Sequence, residues 1–381
     1  MKKTVTWKKI VILGIAVLLF AVLLYKCNDF KKAPLASYEG QTYERGVVTK
    51  IVEDNLAEDG NRYGTQKVQV KMTSGSFKGQ KKEAINPSGT LFGAECKVGM
   101  KIIVIVNKSG DNAGFTVYSQ DRTIPIYVFA FIFAAVVCLI GGKKGIYAVL
   151  SLVFAFVCII WLMFPLMYQG ISPIFLTIIV AVLTTIITLG LLGGISEKTV
   201  AAILGTAIGV IIAAVAAIIF GKAAGITGFN VSDIEALNYV GQNTKIKIGE
   251  LLFAGIIISA LGAVMDVGMS IASTIQEIYE TDKTLSMKQL FLSGINVGRD
   301  MMGTMTNTLI FAYVGGAMTT LVLNYAYDLS YLQLANSYVI GIEIMQGLSG
   351  SLGVVLTVPV TAFIAAFLIG RKGKNELTCE K

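Results

Sequence analysis

The stretch Leu251–Ser273, LLFAGIIISALGAVMDVGMSIAS, decides the class of this protein. About 20 apolar residues in helix cross the ~30 Å hydrocarbon core of a bilayer, and this run is long enough. It contains a single carboxylate, Asp266. A charge at that depth costs several kcal/mol unless it faces protein or a polar cavity, so it is a functional candidate by default. At ~1.5 Å per residue Asp266 lies roughly 22 Å from the start of the run. Ser259, Gly262, Ser270, Ser273 and Glu277 fall on the same helical face. Small and hydroxylated residues around a carboxylate mark a face that packs on another helix or lines a polar path.

The rest of the chain agrees with a membrane class. Of 381 residues 54% are hydrophobic and only 15% charged, and the mean hydropathy is +0.70. Soluble domains carry roughly 25% charged residues. Apolar runs near 125–141, 146–164, 173–192, 199–220, 250–273, 302–323 and 349–370 read as seven further spans after an N-terminal one. That first segment, MKKTVTWKKIVILGIAVLLFAVLLYKC, has a basic flank and a long apolar core without a small-x-small cleavage site. It is expected to stay as an uncleaved anchor, residues 1–27. The expected fold class is therefore a polytopic α-helical membrane protein of about eight transmembrane helices. Residues 124–370 form its seven-helix membrane domain and 371–381 its cytoplasmic tail.

Residues 28–123 differ in character. Short β-type runs such as RGVVTKIVED, QKVQVKMTSG and KIIVIVNKSG are separated by polar, Gly-containing turns. In Gln66–Met72, Val68 and Val70 alternate with Lys67, Gln69 and Lys71. Five or so such strands predict a small β-barrel or sandwich module of oligonucleotide-binding-like shape. That shape by itself assigns no function.

Cationic residues set the orientation. Lys2, Lys3, Lys8, Lys9, Lys143, Lys144, Lys198, Lys283, Lys288, Arg299, Arg371, Lys372 and Lys374 fall on one side if the spans alternate. The connections YQGISP and NYAYDLSYLQLANS on the other side have no Lys or Arg. Lys222, Lys245 and Lys247 in 221–247 are the partial exception. The positive-inside rule then puts both termini in the cytoplasm and the β module outside. Two segments fit no simple span. Residues 275–300 read as a cytoplasmic connection with a short interfacial helix. Residues 334–348 read as a surface or re-entrant helix, because with the last span they exceed the bilayer thickness.

Several chemistries are excluded. There is no histidine, which removes Ser-His and Cys-His pairs, histidine-bound zinc and histidine relays. Thus GLSG (Gly347–Gly350) lacks the base that a serine intramembrane protease needs. Asp266 and Asp300 are the two carboxylates an intramembrane aspartyl protease would use, yet neither AVMD nor VGRD supplies G-x-G-D. No enzyme activity is expected, and no cofactor. Cys27, Cys96, Cys138, Cys158 and Cys379 form no CxxC, and a Cys27–Cys96 bond is a minor alternative. Met301, Met302 and Met305 read as packing rather than a copper site. The net charge of +8 comes without a basic-aromatic nucleic-acid motif, so no nucleic-acid partner is expected.

The polar residues of the later spans complete the candidate site. In NVGRDMMGTMTNTL, Asn296, Asp300 and Asn307 share a face, with Gly303 and Thr304 beside them. Arg299 and Asp300 lie at a depth like that of Asp266, so Arg299 is a candidate counter-ion. Ser270, one turn beyond Asp266, belongs to the same polar cluster. Glu343 and Gln346 precede the last span, where Pro359 frees a carbonyl that Thr357 or Thr361 could take up.

Three motifs carry a family resemblance: ALGAVMDVGMSIASTIQEI (260–278), GRDMMGTMTNTLIFAYVG (298–315) and GLSGSLGVVLTVPVTAFIAA (347–366). In order and spacing they resemble the YibE/F-like family of bacterial membrane proteins, over about residues 125–370, and the 28–123 module is similar to the start of longer members. Met345 and Gln346 stand where similar proteins often carry an Arg after the glutamate. The resemblance implies a bacterial plasma-membrane, multi-pass topology, sometimes described as a transporter. It implies no substrate, cofactor or catalytic residue.

Function is expected in one of two forms. Either Asp266, Arg299, Asp300, Asn307 and Glu343 line an ion or solute path, driven without ATP since no ATP-binding motif is present. Or the chain is a non-transporting assembly protein that binds a second copy or an envelope protein, with Asp266 and Arg299 only locking helices. The lipid bilayer is a partner in both.

Overall fold

The structure is a computed structural model describing residues 7–32, 35, 40–56, 63–87, 94–109, 112–231 and 233–379. Lys2 and Lys3 of the basic flank lie outside them. The chain divides into two compact units, residues 34–136 and residues 1–33 with 137–381.

The smaller unit holds five strands: β1 (Gln41–Glu53), β2 (Gln66–Met72), β3 (Lys81–Asn86), β4 (Lys101–Ser109) and β5 (Asn112–Gln120). They close into a barrel in the order β1-β2-β3-β5-β4, with β3 parallel to β5 and the other pairings antiparallel. This is a five-stranded barrel of the oligonucleotide-binding kind. Alternation in β2 works as read: Val68, Val70 and Met72 are buried while Lys71 is exposed. Gln66 is the polar residue among them. Its amide spans Cys96, giving to the carbonyl at 3.2 Å and accepting from the N–H at 3.3 Å, and it accepts from Asn86 Nδ2 at 2.9 Å. A buried amide without these partners would cost a few kcal/mol. No disulfide joins the described cysteines; Cys96 is in the barrel core and Cys27 belongs to the other unit.

The larger unit is helical. Its elements are α1 (Trp7–Asn28), α2 (Thr123–Val157, its first part in the smaller unit), α3 (Phe164–Tyr168), α4 (Pro173–Gly193), α5 (Glu197–Ala223) and α6 (Ile234–Asn243). There follow α7 (Leu251–Thr281), α8 (Met287–Gly316), α9 (Met318–Ala326), α10 (Tyr331–Ala335) and α11 (Tyr338–Cys379). Among the described residues five helices are long and apolar enough to cross a membrane, or six if α8 and α9, bent by 61°, are one broken span. One of the five, Thr123–Tyr168, runs 46 residues and contains two of the segments read as separate spans. It breaks at Gly142, whose φ of 54° suits glycine alone, and Gly145 packs against the Val137 carbonyl.

The two segments that fitted no span are corrected by the structure. Residues 275–300 hold no separate interfacial helix. α7 runs on to Thr281, a turn follows, and α8 starts at Met287 under a capping box of Ser286 and Gln289. Residues 338–348 are the first turns of α11, continuous with the last span. The length argument failed because a helix longer than the bilayer is free to protrude or tilt. Nor do Thr357 and Thr361 serve the carbonyl freed by Pro359. Thr357 Oγ1 donates to Gly353 at 2.7 Å, and the Thr361 hydroxyl is buried without a partner.

Several helix ends of the larger unit lie together. Asn28 donates to the Trp161 carbonyl at 2.8 Å, Gln169 to that of Cys27 at 2.9 Å, and the Ser172 hydroxyl meets the Glu250 carboxylate. At the other ends, Gly193 approaches Thr199 and Met269, and Gly370 approaches Met287 and Leu290.

The core lies where α5, α7 and α11 cross. A Cβ on Gly205 would overlap the Thr361 hydroxyl, and one on Gly209 the Thr357 hydroxyl. Such contacts let helix backbones approach closely where no hydrophobic effect drives them together. Val264, Val267, Ile271 and Ile275 of α7 are fully buried there.

Candidate functional site

The core contact fixes which way α7 faces. With Val264, Val267 and Ile271 inward, the 3.6-residue period turns Gly255, Ser259, Gly262 and Asp266 outward, and all four are exposed. Ser270 and Ser273 continue this line and are half-buried. On α8 the inward residues are Leu290, Gly294, Gly298 and Leu309. Asn296, Arg299, Asp300, Gly303, Thr304, Asn307 and Thr308 are exposed. Met301, Met302 and Met305 pack against the core cluster, as read from the sequence.

The two helices are antiparallel neighbours. Gly294 of α8 lies against Ile275 of α7, Gly298 against Ile271, and the Tyr313 hydroxyl donates to Ser259 Oγ at 2.8 Å. This register sets Asp266 level with about residue 303, so Arg299 is roughly one helical turn nearer the Ile275 end. Arg299 is also turned about 100° around α8 from Asp300. Among the described residues no ion pair joins Arg299 to Asp266 or to Asp300. The expected counter-ion arrangement is not formed within one chain, because the packed register puts the two side chains about one helical turn apart in depth. Asp266 stands on its own on the outward line of α7 with Ser259 and Ser270, while Thr304 and Asn307 are exposed on α8; these outward residues make the polar strip of the two helices.

Glu343 is elsewhere. It is half-buried on α11 and lines a cavity of about 310 Å³ with Ile310, Tyr313, Leu321 and Ile340. The cavity lies where the end of α8, the start of α9 and the first turns of α11 meet. Tyr313 connects the two places: its ring lines the cavity and its hydroxyl reaches Ser259, on the same face as Asp266. The sequence reading missed Tyr313. A tyrosine in an apolar run has no periodic signature, and only the partner Ser259 reveals its role.

The described residues hold no cluster of three His, Cys, Asp or Glu side chains suited to a metal ion. The arrangement can accept a proton, a monovalent cation or a hydrogen-bonding solute along the α7–α8 strip. No curated protein and no solved structure matches the chain significantly. Residues 129–371, more than half of the chain, match the YibE/F-like proteins, and the chain belongs to that family.

Proposed function

We propose that this protein is a multi-pass transport protein of the bacterial plasma membrane, in which the α7–α8 strip conducts a cation or small solute and Asp266 is its ion ligand or proton acceptor. The observation that carries this reading is Asp266 itself. It is a carboxylate within a membrane-length helix, on a face of Ser and Gly, with no ion-pair partner among the described residues. A residue kept only to lock helices would be paired.

In this reading the chain crosses the bilayer eight times. The long helix Thr123–Tyr168 supplies two crossings, α1 one, and the bent pair α8–α9 one. Basic residues on a single set of loops support cytoplasmic termini and an external barrel. The clustering of alternate loop ends supports the alternation. The reaction class is secondary or passive transport rather than enzymatic chemistry, a reading supported by the absence of any histidine to act as base.

The test is flux in proteoliposomes of the purified protein under imposed proton and monovalent-cation gradients. Flux with wild type and none with Asp266→Asn is the expected result. Absence of any flux under every gradient sinks the reading. It would favour an assembly protein, for which the separate barrel unit would be the partner-binding part.

A further inference from the structure

The outward strip of α7 and α8 raises a problem that one chain does not solve. Asn296, Arg299, Asp300, Asn307 and Asp266 are exposed on helices of membrane length. Lipid tails offer none of the hydrogen-bond partners these groups need. Nothing lies within 4 Å of a Cβ built on Gly255, Gly262 or Gly303, so this side has room for another backbone at close range.

Two membrane-length elements of this chain are not available to cover it. The membrane-length run Thr123–Ile140 contains no charged or amide side chain. α1 is engaged with the turn around Trp161 through Asn28 and through Phe20 against Phe154. A surface that does carry the right groups is the strip itself. Arg299 and Asp300 are adjacent, exposed and at one depth, which makes the strip self-complementary in charge.

We propose that a second copy of this chain packs on the α7–α8 strip about a twofold axis along the membrane normal. Such an axis keeps every residue at its own depth and makes the interface isologous. Arg299 of each copy then meets Asp300 of the other, and the open glycines of α7 let the helices approach. The two Asp266 carboxylates face one shared, protein-walled path instead of lipid. The pairing shares with the proposed function only the reading that α7 and α8 lie in the bilayer.

The experiment is oxidative cross-linking in native membranes of the full-length protein carrying Gly262→Cys, with wild type and Ile211→Cys as controls. Ile211 is exposed on α5, away from the strip. A disulfide-linked product of twice the chain mass is expected for Gly262→Cys alone. Adding Arg299→Asp should lower its yield at least about tenfold, the loss expected when a buried charge pair becomes a repulsion. Co-expression with a differently tagged Gly262→Cys copy carrying Asp300→Arg should restore a mixed dimer. Native mass spectrometry of wild type from lipid nanodiscs gives the copy number independently of any variant. One copy per particle overturns the proposal. So does a cross-linked product of another mass, or a dimer indifferent to Arg299→Asp. A dimer without flux leaves the pairing and removes the transport reading; flux from single copies does the reverse.

Discussion

Two faces of α7 separate the parts of this molecule that hold it together from the part that is free to act. Toward α5 and α11 its small residues are spent on contact: Gly268 approaches the Thr206 hydroxyl, Ala260 meets Gly350 of α11, and Val264 beside them is fully buried. Toward the outside, a Cβ built on Gly255 or Gly262 would meet nothing within 4 Å, and Asp266 has no ion-pair partner among the described residues. Both faces carry small residues, so their presence alone does not distinguish them. Their surroundings do. A glycine that is filled against is structural, and a glycine beside an unpaired carboxylate awaits an occupant.

The sharpest way to break this contrast is to fill both kinds of glycine. Gly209→Leu would drive its side chain into Thr357 and Val264. It is expected to cost about 3 kcal/mol or more, seen as loss of the monodisperse peak in size-exclusion chromatography and a large fall in Tm. Gly262→Leu meets nothing within its own chain, so it should leave the fold of the single chain intact while weakening the proposed pairing of two copies. Equal damage at both positions would erase the distinction.

Asp266→Asn sharpens the contrast from the functional side. The variant should fold with an unchanged or raised Tm while its proteoliposome flux falls to that of protein-free vesicles. A large drop in Tm instead would mean that the carboxylate is structural. The hydroxyl contact between the faces is worth less. Tyr313→Phe loses the bond to Ser259 and should cost about 0.6–1.7 kcal/mol, the range of hydrogen bonds between membrane helices, measured by unfolding in mixed micelles.

The smallest effect lies in the barrel. Hydrogen bonds from the Thr123 hydroxyl and amide, with help from Arg45 and Lys101, hold the Asp121 carboxyl below its ordinary range. Arg45 Nε is 3.3 Å from it. A lowered folded-state value means that the stabilisation is complete above the ordinary carboxylate range and disappears as acid protonates the folded group. Solvent screening keeps it to roughly 0.5 kcal/mol. Hydrogen exchange in the barrel should be faster in Asp121→Asn than in wild type at neutral pH, and the difference should vanish in strong acid.

Much of this was legible in the residues. Val68 and Val70 announce a half-buried strand by their period, and Leu251–Ser273 announces a span by its length. The Ser and Gly spacing around Asp266 places them on one face before any coordinates. The break at Gly142 and the bend after Gly316 were not legible as such, because glycine tolerates a helix as well as ending one. The ends of α7, α8 and α11 were misjudged for a related reason: bilayer thickness limits the apolar part of a helix, not the helix. Arg299 as counter-ion to Asp266 rested on depths counted along each helix separately, and the packing of α7 on α8 sets the two about one turn apart.

By itself, then, the sequence determined membrane residence, a separate small barrel, the absence of histidine chemistry and the one face of α7 that holds Asp266. These follow from hydropathy, period and composition, which are local. Only the tertiary structure decided which way that face points, that Tyr313 reaches Ser259, and that Glu343 belongs to a different cavity. Those facts depend on the crossing of α5, α7 and α11, where glycines set how closely and at what rotation the helices pack, and no local pattern encodes a rotation between helices far apart in the chain.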